Sequence, residues 1–290
     1  MGHKTLIKTH ELTWLKSGEA TLRHLDSGEL MHSNVGPKAE SSLLYVEQSK
    51  LADRLCEPSK HPLVVYDVGL GAGTNALAAL QCSREIRQET WFPRKLRLYS
   101  FESDLSGIAI ALENHSQFPF FEGFEGAVAA LLEKGSWSSS DEATEWVLKE
   151  GDFRQSISDL PQPELVYFDF YSPKVTPDLW SVEIFGRVYQ KCTQTSSLFT
   201  YSASTRVRVA LLLAGFFVGY GRSTGAKRET TVASTSLATL ERPLDARWLA
   251  RFKNSHEPIP YGWPGEKRGE VFEKVLNHKQ FQGSAFRPLD

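Results

Sequence analysis

The stretch "VVYDVGLGAGTNALAAL", Val64 to Leu80, decides how the rest of the chain is read. Extended one residue back, "LVVYDVG" is a short apolar run of the kind that a parallel strand buried on both faces needs. Gly69, Gly71 and Gly73 break the run, and "TNALAALQ" continues it with the alanine and leucine content of a helix. The segments that follow repeat the unit. "KLRLYSFE" reads as a second strand, followed by the helix "DLSGIAIALENH" capped by Asp104. "EWVLKEGD" gives a third strand, and "PELVYFDFYSP" a fourth that ends at Pro173. A helix near 177–190, a strand "SLFTYS" and a helix over 204–214 come next. "FFVGYGR" and "ETTVAST", joined through Gly225, pair as an antiparallel edge hairpin. Such alternation predicts an α/β fold, a Rossmann-like, doubly wound and mostly parallel sheet. The sheet domain is expected over 61–240. Residues 1–60 form an extension packed on it, with a helix in "SSLLYVEQSKLADRL" capped by Ser41 or Ser42. Residues 241–290 form a second extension.

Composition narrows the function classes. The 290 residues carry a formal net charge of -2, which excludes a broadly basic surface, so any nucleic acid must be held by a local patch. Cys56, Cys82 and Cys192 are odd in number and far apart, a pattern that fits a reducing compartment rather than a disulfide framework. No metal-binding spacing is present among the histidines. The amino terminus lacks an apolar signal region, and "VALLLAGFFVGYG" is too short to span a bilayer and is broken by Gly215. A cytoplasmic protein with no membrane contact is expected.

In an open α/β sheet, ligands bind beyond the carboxyl ends of the strands at the switch point. The glycine turn is G-x-G-x-G with Asp67 ahead of it, not the G-x-G-x-x-G of dinucleotide sites, and no Gly-Lys-Ser/Thr follows to make a P-loop. The form D-x-G-x-G-x-G resembles the first motif of S-adenosylmethionine-dependent methyltransferases. That cofactor lacks a pyrophosphate but carries an amino acid end. Backbone N–H groups at the helix start can take its carboxylate, and Asp67 can hold its ammonium directly or through water. A bare structural turn and a nicotinamide site are the alternatives. Glu102, closing the second strand, is placed for ribose hydroxyls; an ordinary surface carboxylate is its alternative. Asp152 in "KEGDF" is placed for the adenine amino group, and a helix cap explains it equally well.

A longer set of motifs is more specific. "YFDFYSPKVTPDLW" resembles the D-x-F-[AS]-P-x-x-x-P-x-[LM]-W segment of the methyltransferase part of the tRNA 5-methylaminomethyl-2-thiouridine biosynthesis family, with Asp169, Ser172, Pro173, Pro177 and Trp180 in register. "MHSNVGPKAES" is similar to its His-Ser, glycine and Glu-Ser segment through His32, Ser33, Gly36, Glu40 and Ser41. "GDFRQSISDL", "TYSASTRVRVALLLAGF" and "STGAKRET" are similar to further segments in the same order, over about residues 10 to 235. Met31 stands where the family has an aromatic residue, Tyr171 where it has phenylalanine, and Ser223 where it has glycine. The flavin-binding oxidase half of the fused family members has no counterpart in these residues, so methyl transfer without the carboxymethyl-removing step is expected.

The resemblance implies a class I S-adenosyl-L-methionine-dependent methyltransferase acting on the amine of 5-aminomethyl-2-thiouridine in the tRNA anticodon loop, with a separate enzyme supplying the aminomethyl group. Asp169 would orient the amine or accept its proton; capping the next helix is its alternative role. His32, Ser33 and Glu40 would face the substrate. Phe170 and Tyr171 would stack a flipped base, with Trp180 more suited to the core. Arg206, Arg208, Arg222, Lys227 and Arg228 would gather into a phosphate patch, with solvated surface the default for each. A methyltransferase of a small amine or a protein, and a non-catalytic tRNA- or partner-binding subunit, remain as other readings.

Overall fold

The computed structural model describes residues 9–90, 93–224, 229–264 and 268–282. Its centre is β3 (Leu63–Val68), all six residues of which are buried. Alternate side chains of this strand feed two cores: Leu63 and Val65 pack on one face of the sheet, Val64, Tyr66 and Val68 on the other. That two-sided burial is why the strand reads as an unbroken apolar run.

Around β3 the chain builds β4 (Leu96–Glu102), β5 (Ser136–Ser138), β6 (Thr144–Glu150), β7 (Leu165–Phe168), β8 (Ser197–Thr200), β9 (Phe217–Tyr220) and β10 (Thr231–Ser234). They form one sheet in the order β5-β6-β4-β3-β7-β8-β10-β9. The five strands from β6 to β8 in that order are parallel, while β5 and β10 run antiparallel to their neighbours. The expected hairpin is present with β9 outermost; the turn at Gly225 lies outside the described residues. The exposed side of β9 is covered. Leu244 donates its N–H to Val218 O at 2.9 Å, and buried Gln280 accepts from Val218 N at 2.7 Å while donating to Val218 O at 2.8 Å. A covered edge cannot recruit a foreign strand.

One face carries α1 (Pro37–Ser41), α2 (Leu51–Cys56), α3 (Thr74–Glu89), α4 (Ser106–Glu113) and α5 (Glu125–Lys134). The other carries α6 (Phe153–Ser156), α7 (Val182–Lys191), α8 (Thr205–Leu213), α9 (Ala246–Lys253) and α10 (Arg268–Leu276). Residues beyond 241 therefore contribute core: Trp248 and Phe252 stack, and Val271 and Val275 are fully buried. Between α1 and α2 the chain makes one wide π turn, Ser42–Glu47, which turns Leu44 and Tyr45 inward. Because α1 already starts at Pro37, neither Ser41 nor Ser42 caps its start, and Ser41 gives the following π turn no side-chain cap bond; Ser41 Oγ donates to Lys38 O instead.

Besides α9 and α10, two features of the strands have no counterpart in the sequence expectations. β5 is one. The other is a separate hairpin, β1 (His10–Trp14) with β2 (Ala20–His24), packed beside α4.

Candidate active site at the carboxyl edge of the sheet

Strand order reverses at β3, with β4 on one side and β7 on the other, so a crevice opens beyond their carboxyl ends. Gly69 is the first residue of that crevice. Its φ is +94°, and a Cβ there would stand 2.6 Å from the backbone oxygen of Asp169, so only glycine lets the two loops approach. Gly71 and Gly73 also have positive φ, and Gly73 leads directly into α3. Bare backbone therefore borders a cavity of about 520 Å³.

The lining includes Glu29, Glu40, Glu102, Asp104 and Asp169, and no lysine or arginine among the described residues. Glu102 accepts from the backbone N–H of Gly71 at 3.0 Å, Ser103 at 2.8 Å and Asp104 at 3.1 Å. Burial raises its pKa, against the opposing pull of those three bonds. Asp169 follows β7 directly, and its Oδ2 accepts from Asn75 Nδ2 at 2.6 Å. Burial first, and the Asp169 charge second, hold the phenols of Tyr45 and Tyr201 well above their ordinary range.

His32, Ser33, Glu40, Phe170 and Tyr171 all line this cavity, as do Gly69 and Gly71. His32 is tied on both ring nitrogens, to Thr21 Oγ1 at 3.0 Å and Thr74 Oγ1 at 2.8 Å, and burial lowers its pKa to about 4. A neutral imidazole thus links the hairpin to the start of α3. Ser33 donates its N–H to Glu40 at 3.1 Å.

Other expected residues stand elsewhere. Asp67 is fully buried and outside the lining. Its Oδ2 accepts from Ser100 Oγ at 2.7 Å, tying β3 to β4 beneath the glycine loop, so direct contact with a ligand ammonium is not its role here. Burial pushes its pKa to about 8, and its Oδ1 has no hydrogen-bond partner. Asp152 caps α6, accepting from Arg154 N at 2.9 Å, and pairs with the Arg154 guanidinium. Its carboxylate is held outside the cavity lining, which favours the cap explanation over an adenine contact. Trp180 is fully buried and donates to Tyr171 O at 2.9 Å, bracing the motif loop.

The expected basic patch does not assemble among the described residues. Arg208 lies inside the protein, 2% exposed, paired with Glu229 at 2.9 Å and bonded to Thr231 Oγ1 and Thr230 O. No phosphate can reach it. Arg206 lies over the Tyr261 ring and 3.6 Å from Glu257, and exposed Arg222 pairs with Glu47 at 3.0 Å. Lys227 and Arg228 fall outside the described residues.

Residues that the sequence reading missed complete the cavity: Asn75, Tyr45, Tyr201, His10, His24 and Glu29. Asn75 alone left a signal, a polar side chain in the first turn of an alanine-rich helix. Glu29 accepts from the N–H and hydroxyl of Ser172, so the amino-terminal segment clasps the "DFYSP" loop.

The donor set fits S-adenosyl-L-methionine. Three positive-φ glycines leave the backbone open to a ligand, though their own N–H groups already donate to Phe101 O, Glu102 and Leu70 O; an orphaned carboxylate oxygen lies beneath them, and the acidic lining suits a ligand that carries a sulfonium and an ammonium. Among the described residues no cluster of histidine, cysteine, aspartate or glutamate can hold a metal ion, and no helix is long and apolar enough to cross a membrane.

Fold and site together define an S-adenosyl-L-methionine-dependent methyltransferase, and a family model with that description matches residues 126–236. The particular kinship is to MnmC. The chain is 27% identical, over 79% of its length, to the tRNA 5-methylaminomethyl-2-thiouridine biosynthesis bifunctional protein MnmC of Vibrio campbellii, and spans 36% of that relative. A protein of Methanocaldococcus jannaschii without assigned function is 28% identical over 79% of this chain and 61% of its own. The crystal structure of MNMC2 from Aquifex aeolicus superposes with a TM-score of 0.71 at 25% identity, covering 93% of this chain and 85% of that one. This chain is thus a methyltransferase related to MnmC, spanning about a third of the length of the bifunctional relative.

Proposed function

We propose that this protein transfers a methyl group from S-adenosyl-L-methionine to a primary alkylamine on tRNA, the aminomethyl group of 5-aminomethyl-2-thiouridine at the wobble position. The observation that carries this reading is the charge of the cavity, five lining carboxylates with no lysine or arginine among the described residues. Such a site favours a cationic cofactor and a cationic acceptor together. The names of the MnmC relatives supply the tRNA.

The loop from Gly69 to Gly73 would hold the amino acid end of the cofactor, and Glu102 its ribose hydroxyls. When bound, the cofactor supplies an electrophilic methyl group on a sulfonium. Asp169, its rotamer fixed by Asn75, would orient the amine and balance the charge that remains on nitrogen after transfer. Holding the lone pair in line with the methyl group supplies much of the rate. A wobble base has to leave its stack to reach this depth, and Phe170 and Tyr171, which line the cavity, would receive it. The reaction is expected in the cytoplasm, with another enzyme installing the aminomethyl group.

One observation favours a second reading, N-methylation of a small amine or a protein: Arg206, Arg208 and Arg222 are all engaged within the fold. Labelled cofactor separates the two, offered with tRNA carrying unmethylated aminomethyl groups and, in parallel, with a small alkylamine. Label on the wobble base is expected. Label on the small amine alone selects the second reading, and no label on either, with cofactor binding confirmed, contradicts both.

A further inference from the structure

An alkylammonium has no lone pair, so an acceptor of this kind must lose a proton before it can attack. Hydrogen bonds lead from Tyr171 along the cavity wall toward solvent. Its hydroxyl meets His10 Nε2 at 2.5 Å. On the other side of the ring, His10 Nδ1 lies 2.8 Å from both Thr9 Oγ1 and Ser106 Oγ. Thr9 Oγ1 donates to Asp104 Oδ2, whose second oxygen accepts from Ser106 N at 2.9 Å. The chain runs from a buried imidazole, 4% exposed, to a carboxylate side chain that is 35% exposed. Tyr171, His10 and Asp104 all line the cavity that holds Asp169. The hydroxyl that begins the chain is the one atom by which Tyr171 differs from the phenylalanine of the motif it resembles.

We infer that Tyr171, His10, Thr9 and Asp104 form a proton exit for the acceptor amine, an inference that rests on the amine-methylation reading. The donors run one way: Tyr171 O–H to His10 Nε2, His10 Nδ1–H to Thr9 Oγ1, and Thr9 O–H to Asp104. An ammonium proton passes to Tyr171 Oη as the tyrosine's own proton passes to His10 Nε2, leaving a neutral amine and an imidazolium. The imidazolium then releases its Nδ1 proton through Thr9 to Asp104 and water. Tyr171 keeps a full hydroxyl throughout, since burial and the charges of Glu102, Asp104 and Glu29 hold its pKa far above the ordinary phenol value. Burial lowers the pKa of His10, Asp104 opposes that shift, and His24, whose ring lies edge-on at 5.1 Å, adds to it. Its imidazole is therefore neutral near neutral pH, with Nε2 as the hydrogen-bond acceptor of the Tyr171 hydroxyl and an imidazolium that forms only in passing. Tyr171 is the group that meets the substrate; His10, Thr9 and Asp104 are positioning residues acting through it.

Tyr171→Phe, His10→Gln and Thr9→Val in the full chain test the route. With an amine acceptor that the wild type methylates, each variant is expected to lose about tenfold or more in kcat at pH 7. The loss should close to within about twofold near pH 9.5, where the acceptor deprotonates in solution, with cofactor affinity unchanged. A loss of equal size at every pH, or no loss, overturns the inference while leaving the proposed reaction standing. A ¹⁵N spectrum of the His10 ring gives a readout independent of turnover. The proton is expected on Nδ1 at pH 7.5, and a proton on Nε2 would reverse the donors and overturn the route even if no acceptor is found.

Discussion

Two clusters of charge that look alike in the sequence meet opposite fates in the fold. Glu102 and Asp169 are far apart in the chain, yet parallel pairing of β4 and β7 with β3 brings both to one edge and into one cavity. Arg206, Arg208 and Arg222 are close in the chain, yet helix α8 and strand β9 send one guanidinium inward and the others to separate carboxylates. Nearness along the chain says little about nearness in a doubly wound sheet. Position at a strand's carboxyl end says a great deal, because the topology gathers those ends.

The sharpest contrast comes from removing one charge of each kind. Arg208→Ala leaves the buried acceptors Thr231 Oγ1 and Thr230 O without their donor and half-buried Glu229 without its partner, and a stability loss of about 2–3 kcal/mol is expected from denaturant unfolding. A stability change under about 1 kcal/mol would return Arg208 to the candidate RNA surface. Glu102→Gln should leave the fold intact and weaken cofactor binding about tenfold or more, measured by calorimetry, as expected for loss of a hydrogen bond to a charged group. Asp152→Ala is its control. Loss of the α6 cap is expected to cost about 1 kcal/mol, with cofactor affinity within about twofold; a tenfold loss would restore the adenine contact.

Asp67 makes a smaller, pH-dependent test of the same contrast. Its folded pKa of about 8 stands above its unfolded value near 3.8, so its contribution to stability is full at low pH and is lost as pH rises toward 8. His32, at about 4 when folded, has the opposite sign, adding stability as pH climbs from about 4 to its unfolded value of 6.5. His278, which burial also lowers to about 4, acts with His32 against Asp67 up to about pH 6.5, and above it the falling Asp67 contribution dominates. Stability is expected to fall between pH 6.5 and 8 by no more than about 1.4 kcal/mol per pH unit. The slope should flatten in Asp67→Asn. An unchanged slope in that variant would mean that the carboxylate is not desolvated as its burial indicates.

What the sequence made legible follows the same line. Apart from β5, the order of strands from Leu63 to Ser234 could be read because β3, β7 and β8 are buried on both faces and must be apolar throughout. Glycines with positive φ and carboxylates at strand ends were visible for similar reasons. The hairpin of β1 and β2 was not, because "HELTW" and "ATLRH" pack one side on α4 and leave charged residues outside, with no clear apolar alternation. With the hairpin went His10 and His24, and with its trailing loop went Glu29, residues whose relevance comes only from contacts with a loop far along the chain. Arg208 misled for the converse reason. Its burial depends on Glu229 and Thr231 arriving from the returning strand β10.

Asp169 is proposed to stand where an acceptor amine meets the methyl group, rather than where the cofactor is held. Steady-state transfer and cofactor affinity measured together on Asp169→Ala test it most directly. A fall in kcat of about 100-fold or more is expected, with the cofactor dissociation constant within about threefold of wild type. A variant that transfers methyl groups at the wild-type rate, or one that loses cofactor binding by the same factor as activity, would contradict it.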